Sequence, residues 1–342
     1  MRVLITGGVG HIGRAVAECL LEHGCEVRII DLAPETDIPG VDYAVCDIMD
    51  YEGLRSQIDE CEAVVHMAAL RSPSLGPAQD IFSINVSGTF NLFEAVADAE
   101  IKRVVQASSI NAIGCAWNLT DFSPRYLPVD EKHPRSTNDP YSFSKQLIED
   151  IGDYYWRRDG IVSVAMRYPA VHSPEFRESD RFVAYRQSMI EMLDELQGQS
   201  EAQRQQRLND VRQQALEYRS TRPLEYDPDR KGSPFQTDTV ELLWRAYTFD
   251  RFNLWAYIDV RDAALAVKQA LFADIEGSHA VFVNADHNSL GYDSQVLASL
   301  FFPDVTGFVK PLINADTLVS IDRVRSLIGF EPKYSLNGGH LD

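Results

Sequence analysis

Residues 2–13 read Arg2-Val3-Leu4-Ile5-Thr6-Gly7-Gly8-Val9-Gly10-His11-Ile12-Gly13, and this stretch decides the fold. Its first five residues form an apolar, partly β-branched run, the pattern of a strand buried on both faces. Three spaced glycines follow, and Arg14 to Glu22 then has the periodicity of an amphipathic helix. Gly24 stops that helix, and a second apolar strand, Glu26 to Ile30, ends in Asp31. A strand–turn–helix–strand unit gives the glycines a meaning that the bare pattern lacks. Gly7 permits a tight turn, Gly10 lets the backbone approach a pyrophosphate, and Gly13 lets helix and strand pack closely. The N–H groups at the helix start attract the same anion.

Outward from this unit the alternation continues. Tyr43 to Cys46, Ala63 to His66 and Arg103 to Ala107 read as strands, with helices over Tyr51 to Ile58 and Ile81 to Ala99. The expectation is an α/β fold with a doubly wound parallel sheet of the Rossmann type. Ligands on such sheets gather at the carboxyl ends of the strands. The candidate dinucleotide contacts are therefore Gly7, Gly10, His11, Ile12 and Gly13, then Asp31 with Leu32, Asp47 with Ile48, and Met67, Ala68 and Ala69. Asp31 is placed to accept hydrogen bonds from adenosine ribose hydroxyls, and its charge repels a 2′-phosphate. No Lys or Arg follows it in Leu32 to Thr36, so NAD is expected over NADP. Asp47 reads either as a contact at the adenine end or as a solvated loop acid.

Composition narrows the partners. The 342 residues contain 51 Asp and Glu against 32 Lys and Arg, a formal charge of −19. Such a surface repels nucleic-acid backbones and anionic membranes, so neither is expected as a partner. A few local arginines can still hold an anionic small molecule. The five cysteines show no CxxC spacing and read as reduced thiols. The chain begins in a strand with no leader pattern, and no apolar run is long enough for a bilayer. A cytoplasmic location is expected. His11, His66, His133, His172, His279 and His287 share no ligand-like spacing, and no metal is expected.

The chemistry lies further along. Ser109 follows the fifth strand, and Tyr141-Ser142-Phe143-Ser144-Lys145 begins a helix after Pro140. Residues four apart share a helix face, so Tyr141 and Lys145 lie together. A free phenol is a poor base at neutral pH. A neighbouring ammonium and a positive nicotinamide ring stabilise its phenolate. Tyr141 can then take a carbinol proton while the hydride leaves for NAD, with Ser109 positioning the oxygen.

Thr6 to Gly13, TGGVGHIG, is similar to the TGxxGxxG pattern of the extended short-chain dehydrogenase/reductases. The chain also resembles their NAD-dependent epimerase/dehydratase branch at His66-Met67-Ala68-Ala69, at Asn85, at the YSFSK run and at Arg167-Tyr168-Pro169. Tyr257 to Ala264 and Asp322 to Pro332 resemble its late segments. The resemblance implies cofactor contacts at Asn85 and Tyr168 and commonly a homodimer built on the two long helices. It also implies a dinucleotide domain, residues 1–174 with 254–285, and a smaller C-terminal substrate part, residues 175–253 with 286–342.

Three departures from the branch bear on substrate. Ile110 and Asn111 stand where dehydratases and decarboxylases carry acids, which lowers those reactions in rank. Asn111 reads as a contact for substrate hydroxyls or as a loop cap. Trp255 replaces an arginine common in nucleotide-sugar epimerases, the nearest arginine being Arg251, and Ala170 replaces a substrate-contacting Asn. Trp255 reads as a sugar-stacking ring or as core; His172 reads as a substrate contact or as a satisfied loop histidine. With Arg71, these complete the candidate substrate residues. The third departure is a polar insertion from Phe176 to about Phe252. Phe182, Tyr185, Met189, Leu193 and Leu196 give one helical stripe, and Leu208, Val211, Ala215 and Tyr218 another, joined near Gly198. It reads as a surface decoration, an oligomer contact or, by preference, a cap over the pocket. The leading expectation is an epimerase acting on a carbohydrate or nucleotide sugar through a keto intermediate. The alternatives are a dehydrogenase of a free sugar or sugar acid, and a non-catalytic dinucleotide sensor.

Overall fold

The computed structural model describes residues 1–230 and 241–334. Residues 231–240 of the expected insertion and 335–342 of the expected substrate part lie outside the described residues. The strands are β1 (Arg2–Thr6), β2 (Glu26–Asp31), β3 (Asp42–Val45), β4 (Ala63–His66), β5 (Arg103–Ser109), β6 (Val162–Tyr168), β7 (Ala170–His172), β8 (Tyr257–Asp259) and β9 (Ser278–Phe282). Seven of them form one parallel sheet in the order β3-β2-β1-β4-β5-β6-β9. The chain reverses its direction of travel across the sheet between β1 and β4, and ligands of doubly wound sheets bind outside that point.

The period-two pattern of β1 explains both faces. Val3 and Ile5 enter one apolar layer with Val16, Ala17 and Leu20 of α1 (His11–Glu22). Leu4 enters the opposite layer with Leu54 of α2 (Tyr51–Gln57). The expected helix from Ile81 to Ala99 is broken into α3 (Ala78–Phe82), a π-helical turn (Ser83–Ser87) and α4 (Gly88–Asp98). The reason is Asn85, whose amide accepts from Leu70 N and donates to Leu70 O and Ser144 Oγ. A side chain turned to backbone outside the helix suits an extra residue in the turn.

The catalytic-type motif lies on α5 (Pro140–Asp159), capped by Asp139, which accepts from Ser142 N at 2.9 Å. Its far end closes on Gly160 at φ 66°, a left-handed cap that glycine adopts without penalty. The insertion holds α6 (Pro174–Glu178), α7 (Asp180–Gly198), α8 (Glu201–Ser220) and α9 (Leu242–Arg245). Met189, Leu193 and Leu196 of α7 and Leu208, Val211 and Ala215 of α8 are buried, as the two stripes predict. They share a core with Ile110, Ile113 and Cys115, just beyond β5, and with Leu297 and Phe301 of the C-terminal part. Short parallel pairing of β7 with β8 ties the two ends of the insertion together. The chain continues through α10 (Val260–Phe272), packed on α1, then α11 (Ser294–Phe301) and α12 (Asp322–Ile328). No helix among the described residues is long and apolar enough to cross a membrane.

One buried relay joins β1, β4 and α4. Thr89 Oγ1 donates to Asn85 O at 2.6 Å and so accepts from His66 Nε2 at 3.0 Å. His66 Nδ1, left as the acceptor, lies 2.7 Å from Thr6 Oγ1, and Thr6 Oγ1 in turn accepts from Ala68 N at 3.3 Å. Burial and then the nearby Lys145 charge pull His66 down to about 3, so it is neutral in the fold. An unfolded histidine gains a proton near pH 6.5, so the relay's stabilisation is lost progressively as pH falls from about 6.5 to 3. His66→Asn should cost about 1–3 kcal/mol at neutral pH through the broken relay. Its deficit relative to the parent should narrow over that acid range in denaturant titrations, and a constant deficit would contradict the account.

Candidate active site

The glycine turn is built as its spacing suggests. Gly7 has φ +66°, and a Cβ there would meet Ala68 N at 2.6 Å, so the ends of β1 and β4 touch through backbone. A Cβ on Gly13 would overlap Gly7 O and sit 2.7 Å from Gly8 Cα, which is the close helix–strand packing expected of it. Gly10 caps α1 with no side chain of its own. The first N–H groups of a 12-residue helix therefore follow a glycine turn whose Gly10 is exposed. At the end of β2 the Asp31 carboxylate accepts from Val9 N (3.1 Å), Leu32 N (2.8 Å) and Ala33 N (3.3 Å). A fixed acid beside an anion-attracting turn fits a dinucleotide with an unmodified ribose.

The other expected cofactor residues divide by geometry. His11 and Leu32 are exposed, and Ile12, Met67, Ala68 and Ala69 are half-buried along the strand ends. Asp47 closes its own turn onto Met49 N at 2.9 Å, and Ile48 is buried. Asn85 holds the Leu70 segment against α5 rather than pointing outward. The Tyr168 ring is buried under α10, with its hydroxyl donating to Ala263 O at 3.3 Å, so only its main chain reaches the strand end.

Ser109, Tyr141 and Lys145 converge. Ser109 ends β5 opposite Tyr168, and its Oγ accepts from Asn111 N (3.2 Å) and Asn111 Nδ2 (3.1 Å). Lys145 Nζ donates to Ala107 O at 2.7 Å and lies 5.8 Å from the centre of the Tyr141 ring. Burial pushes the Tyr141 phenol up to about 12, against the pull of its hydrogen bond with Ser109 and the charge of Arg71. Burial also draws Lys145 down to about 8, against the carboxylate of Glu149. From residue types alone the Lys145 ammonium is expected to lower the phenol. In the folded protein burial is the largest influence on Tyr141 and opposes the phenolate.

The candidate substrate residues fare differently. Arg71 is exposed, with its charge felt at Tyr141. Asn111 is buried and turned onto Ser109. His172 is half-buried among Phe176, Phe182 and Tyr257, with Nδ1 unpartnered among the described residues; burial draws it down to about 4. Trp255 corrects the stacking option: it is 2% exposed and packed on Phe301 and Phe302 in the core, so no sugar can reach its ring. Its nearest arginine, Arg251, is also engaged, donating to Phe301 O at 2.8 Å and to Asp121 at 2.6 Å.

The sequence reading missed Glu149. Its buried carboxylate accepts from Ser108 Oγ (2.7 Å), from Arg167 Nε and Nη2 (both 2.8 Å) and from Arg135 (3.0 Å). An acid one helical turn after Lys145, with an arginine just before Tyr168, was the available signal. Among the described residues, no group of three or more His, Cys, Asp or Glu could hold a metal ion.

Residues 3–204 match the NAD-dependent epimerase/dehydratase family, and the chain belongs to it. A uronate dehydrogenase of Pseudomonas syringae pv. tomato is 29% identical over 48% of this chain and 58% of its own length. A putative UDP-glucose 4-epimerase of Methanocaldococcus jannaschii is 34% identical over 50% of this chain and 56% of its own. The matched stretches thus span little more than half of these relatives. A short-chain dehydrogenase/reductase superfamily protein from Agrobacterium tumefaciens, solved with bound NAD, shares the fold at TM-score 0.63 and 22% identity, covering 98% of this chain and 94% of that one.

Gly13→Ala tests the turn. Its Cβ would have to displace backbone of Gly7 and Gly8 rather than a flexible side chain. NAD affinity, read by titration calorimetry, should fall on the order of tenfold or more while far-UV circular dichroism stays native. Unchanged affinity would remove this turn from the cofactor site.

Proposed function

We propose that the protein is an NAD-dependent carbohydrate oxidoreductase that removes hydride and proton from a sugar hydroxyl. The observation that carries this reading is the meeting of Ser109, Tyr141 and Lys145 at the end of β5, beside a glycine turn shaped for a dinucleotide. Gly7, Gly10, Gly13 and Asp31 would hold NAD, which supplies the hydride acceptor when bound. Tyr141 would act as its phenolate, which the positive ring of bound NAD would favour against burial; its Oη then takes the carbinol proton, and Ser109 Oγ holds the same substrate oxygen. Lys145 Nζ, fixed on Ala107 O, places a positive charge beside the phenol and favours its anion as the proton moves. Burial of Tyr141 and Lys145 keeps bulk water from the transfer. In this reading residues 1–174 and 254–285 carry the cofactor, and 175–253 with 286–342 select the sugar.

Two outcomes follow the first half-reaction. An epimerase retains the keto sugar and restores the C–H bond on its opposite face. A dehydrogenase releases the oxidised sugar. The epimerase reading draws support from the UDP-glucose 4-epimerases among the relatives. The dehydrogenase reading draws support from the uronate and L-arabinose dehydrogenases and from the engagement of Arg251, which leaves that arginine unavailable to a diphosphate. Exposed Phe82, Phe90, Phe143 and Tyr154 on α3, α4 and α5 support a homodimer through those helices.

The test uses NAD with L-arabinose, D-glucuronate, glucose 6-phosphate and UDP-glucose, following nicotinamide absorbance and product stereochemistry. Stoichiometric NADH marks the dehydrogenase; an isomer without NADH marks the epimerase. Tyr141→Phe should lower kcat on the order of 10²–10⁴-fold with NAD affinity retained. An unaffected rate would remove Tyr141 as the base.

A further inference from the structure

The insertion grips the active-site segment at one place. Arg219, in the last turn of α8, is 1% exposed. Its Nη1 donates to Asn118 O at 2.6 Å and its Nη2 to Ala116 O at 3.2 Å, the two carbonyls that flank Trp117. Nε and Nη2 also reach Thr248 O, at 3.2 and 2.5 Å, and the guanidinium lies 3.4 Å over the Phe252 ring. Among the described residues its hydrogen bonds go to main-chain carbonyls and to no carboxylate. Burying a guanidinium on such terms is costly, and burial draws Arg219 down to about 9. What the arrangement secures is the conformation of Ala116 to Asn118.

The same turn is fixed from its other side. Gly114 has φ +81°, and a Cβ there would collide with the main chain of Ser136 and Thr137. Asn118 Nδ2 donates back to Gly114 O at 2.9 Å. Held between these anchors, Trp117 is half-buried, and its indole meets the Tyr141 ring edge-on with centroids 6.4 Å apart. A rigid aromatic surface thus stands beside the phenol that takes the proton. Aromatic faces pack well against the C–H face of a sugar ring, and an indole keeps a polar edge for a hydroxyl.

We propose that Trp117 is a wall of the substrate pocket that packs on the carbohydrate ring at Tyr141, and that Arg219 of the insertion is its positioning residue. The inference rests on the carbohydrate reading above. It makes the insertion a specificity element acting through one tryptophan rather than a loose cap.

The test uses the NAD-loaded full chain with the same four compounds. For those turned over, Trp117→Ala should raise KM about tenfold and change kcat far less, and Trp117→Phe should recover most of the loss. Arg219→Met should shift KM in the same direction, with Arg219→Lys closer to the parent. The double variant should be no worse than Trp117→Ala, because both changes remove one contact. Substrate quenching of tryptophan emission should vanish in Trp117→Phe. A merely structural Arg219 would lower the melting temperature and leave KM unchanged, which overturns the positioning role. KM and quenching unchanged in Trp117→Ala overturn the wall. If the parent neither binds nor turns over any of the four, the carbohydrate reading fails and this inference with it.

Discussion

The buried carboxylate of Glu149 is the constraint on which the site's geometry depends. It lies on α5 one turn beyond Lys145 and takes hydrogen bonds from Ser108 on β5 and Arg167 on β6. Removing Arg167 would take from this desolvated carboxylate its two-pronged charged partner and leave it Arg135 and Ser108, a costly loss that holds the joined elements in one arrangement. The elements it joins are those that bring Ser109, Tyr141 and Lys145 together. Parallel pairing of β5 with β6 sets Ser109 opposite Tyr168, and Ser108 next to it points at the knot. The same negative charge opposes the loss of the Lys145 proton on burial. Glu149 thus bears on the position of α5 and, against burial, on the charge of Lys145.

The opposite side of the cleft depends on contact between main chains. Gly7 and Ala68 lie so close that no side chain fits between them, and the relay through Thr6, His66 and Thr89 ties that junction to α4. Asn85 then links α4's approach to α5 through Ser144. The glycine-turn end of the sheet and α5 are therefore coupled by hydrogen bonds as well as by the sheet. A shift of α5 would disturb both.

Local patterns made the first half of this architecture legible. β1 and β4 fall where the apolar runs place them, because strands buried on both faces need only their own composition to be recognised. The Gly13 packing, the Pro140 helix start and the two insertion stripes were likewise local signals. What escaped was set at long range. The break at Asn85 needs Leu70 on one side and Ser144 on the other, both far from it in sequence. No periodicity in the sequence announces either partner. Glu149 escaped for the same reason, since an acid on a helix reads as solvated until its arginine is in view.

The burial of Trp255 also changes what the insertion is for. Trp255 is spent on the core, and Arg251 on Phe301 O and Asp121. Asp121 draws Arg251 and Arg212 together, so the segment after β5 is pinned to the insertion by charge as well as by apolar contact. That segment begins at Ser109. If Ser109 positions substrate as proposed, the inserted helices bear on the site through the segment that follows it, which Arg212 and Arg251 hold by way of Asp121. A surface decoration would need no buried arginine. Arg219, desolvated and hydrogen-bonded to main-chain carbonyls among the described residues, is the feature that separates the two accounts.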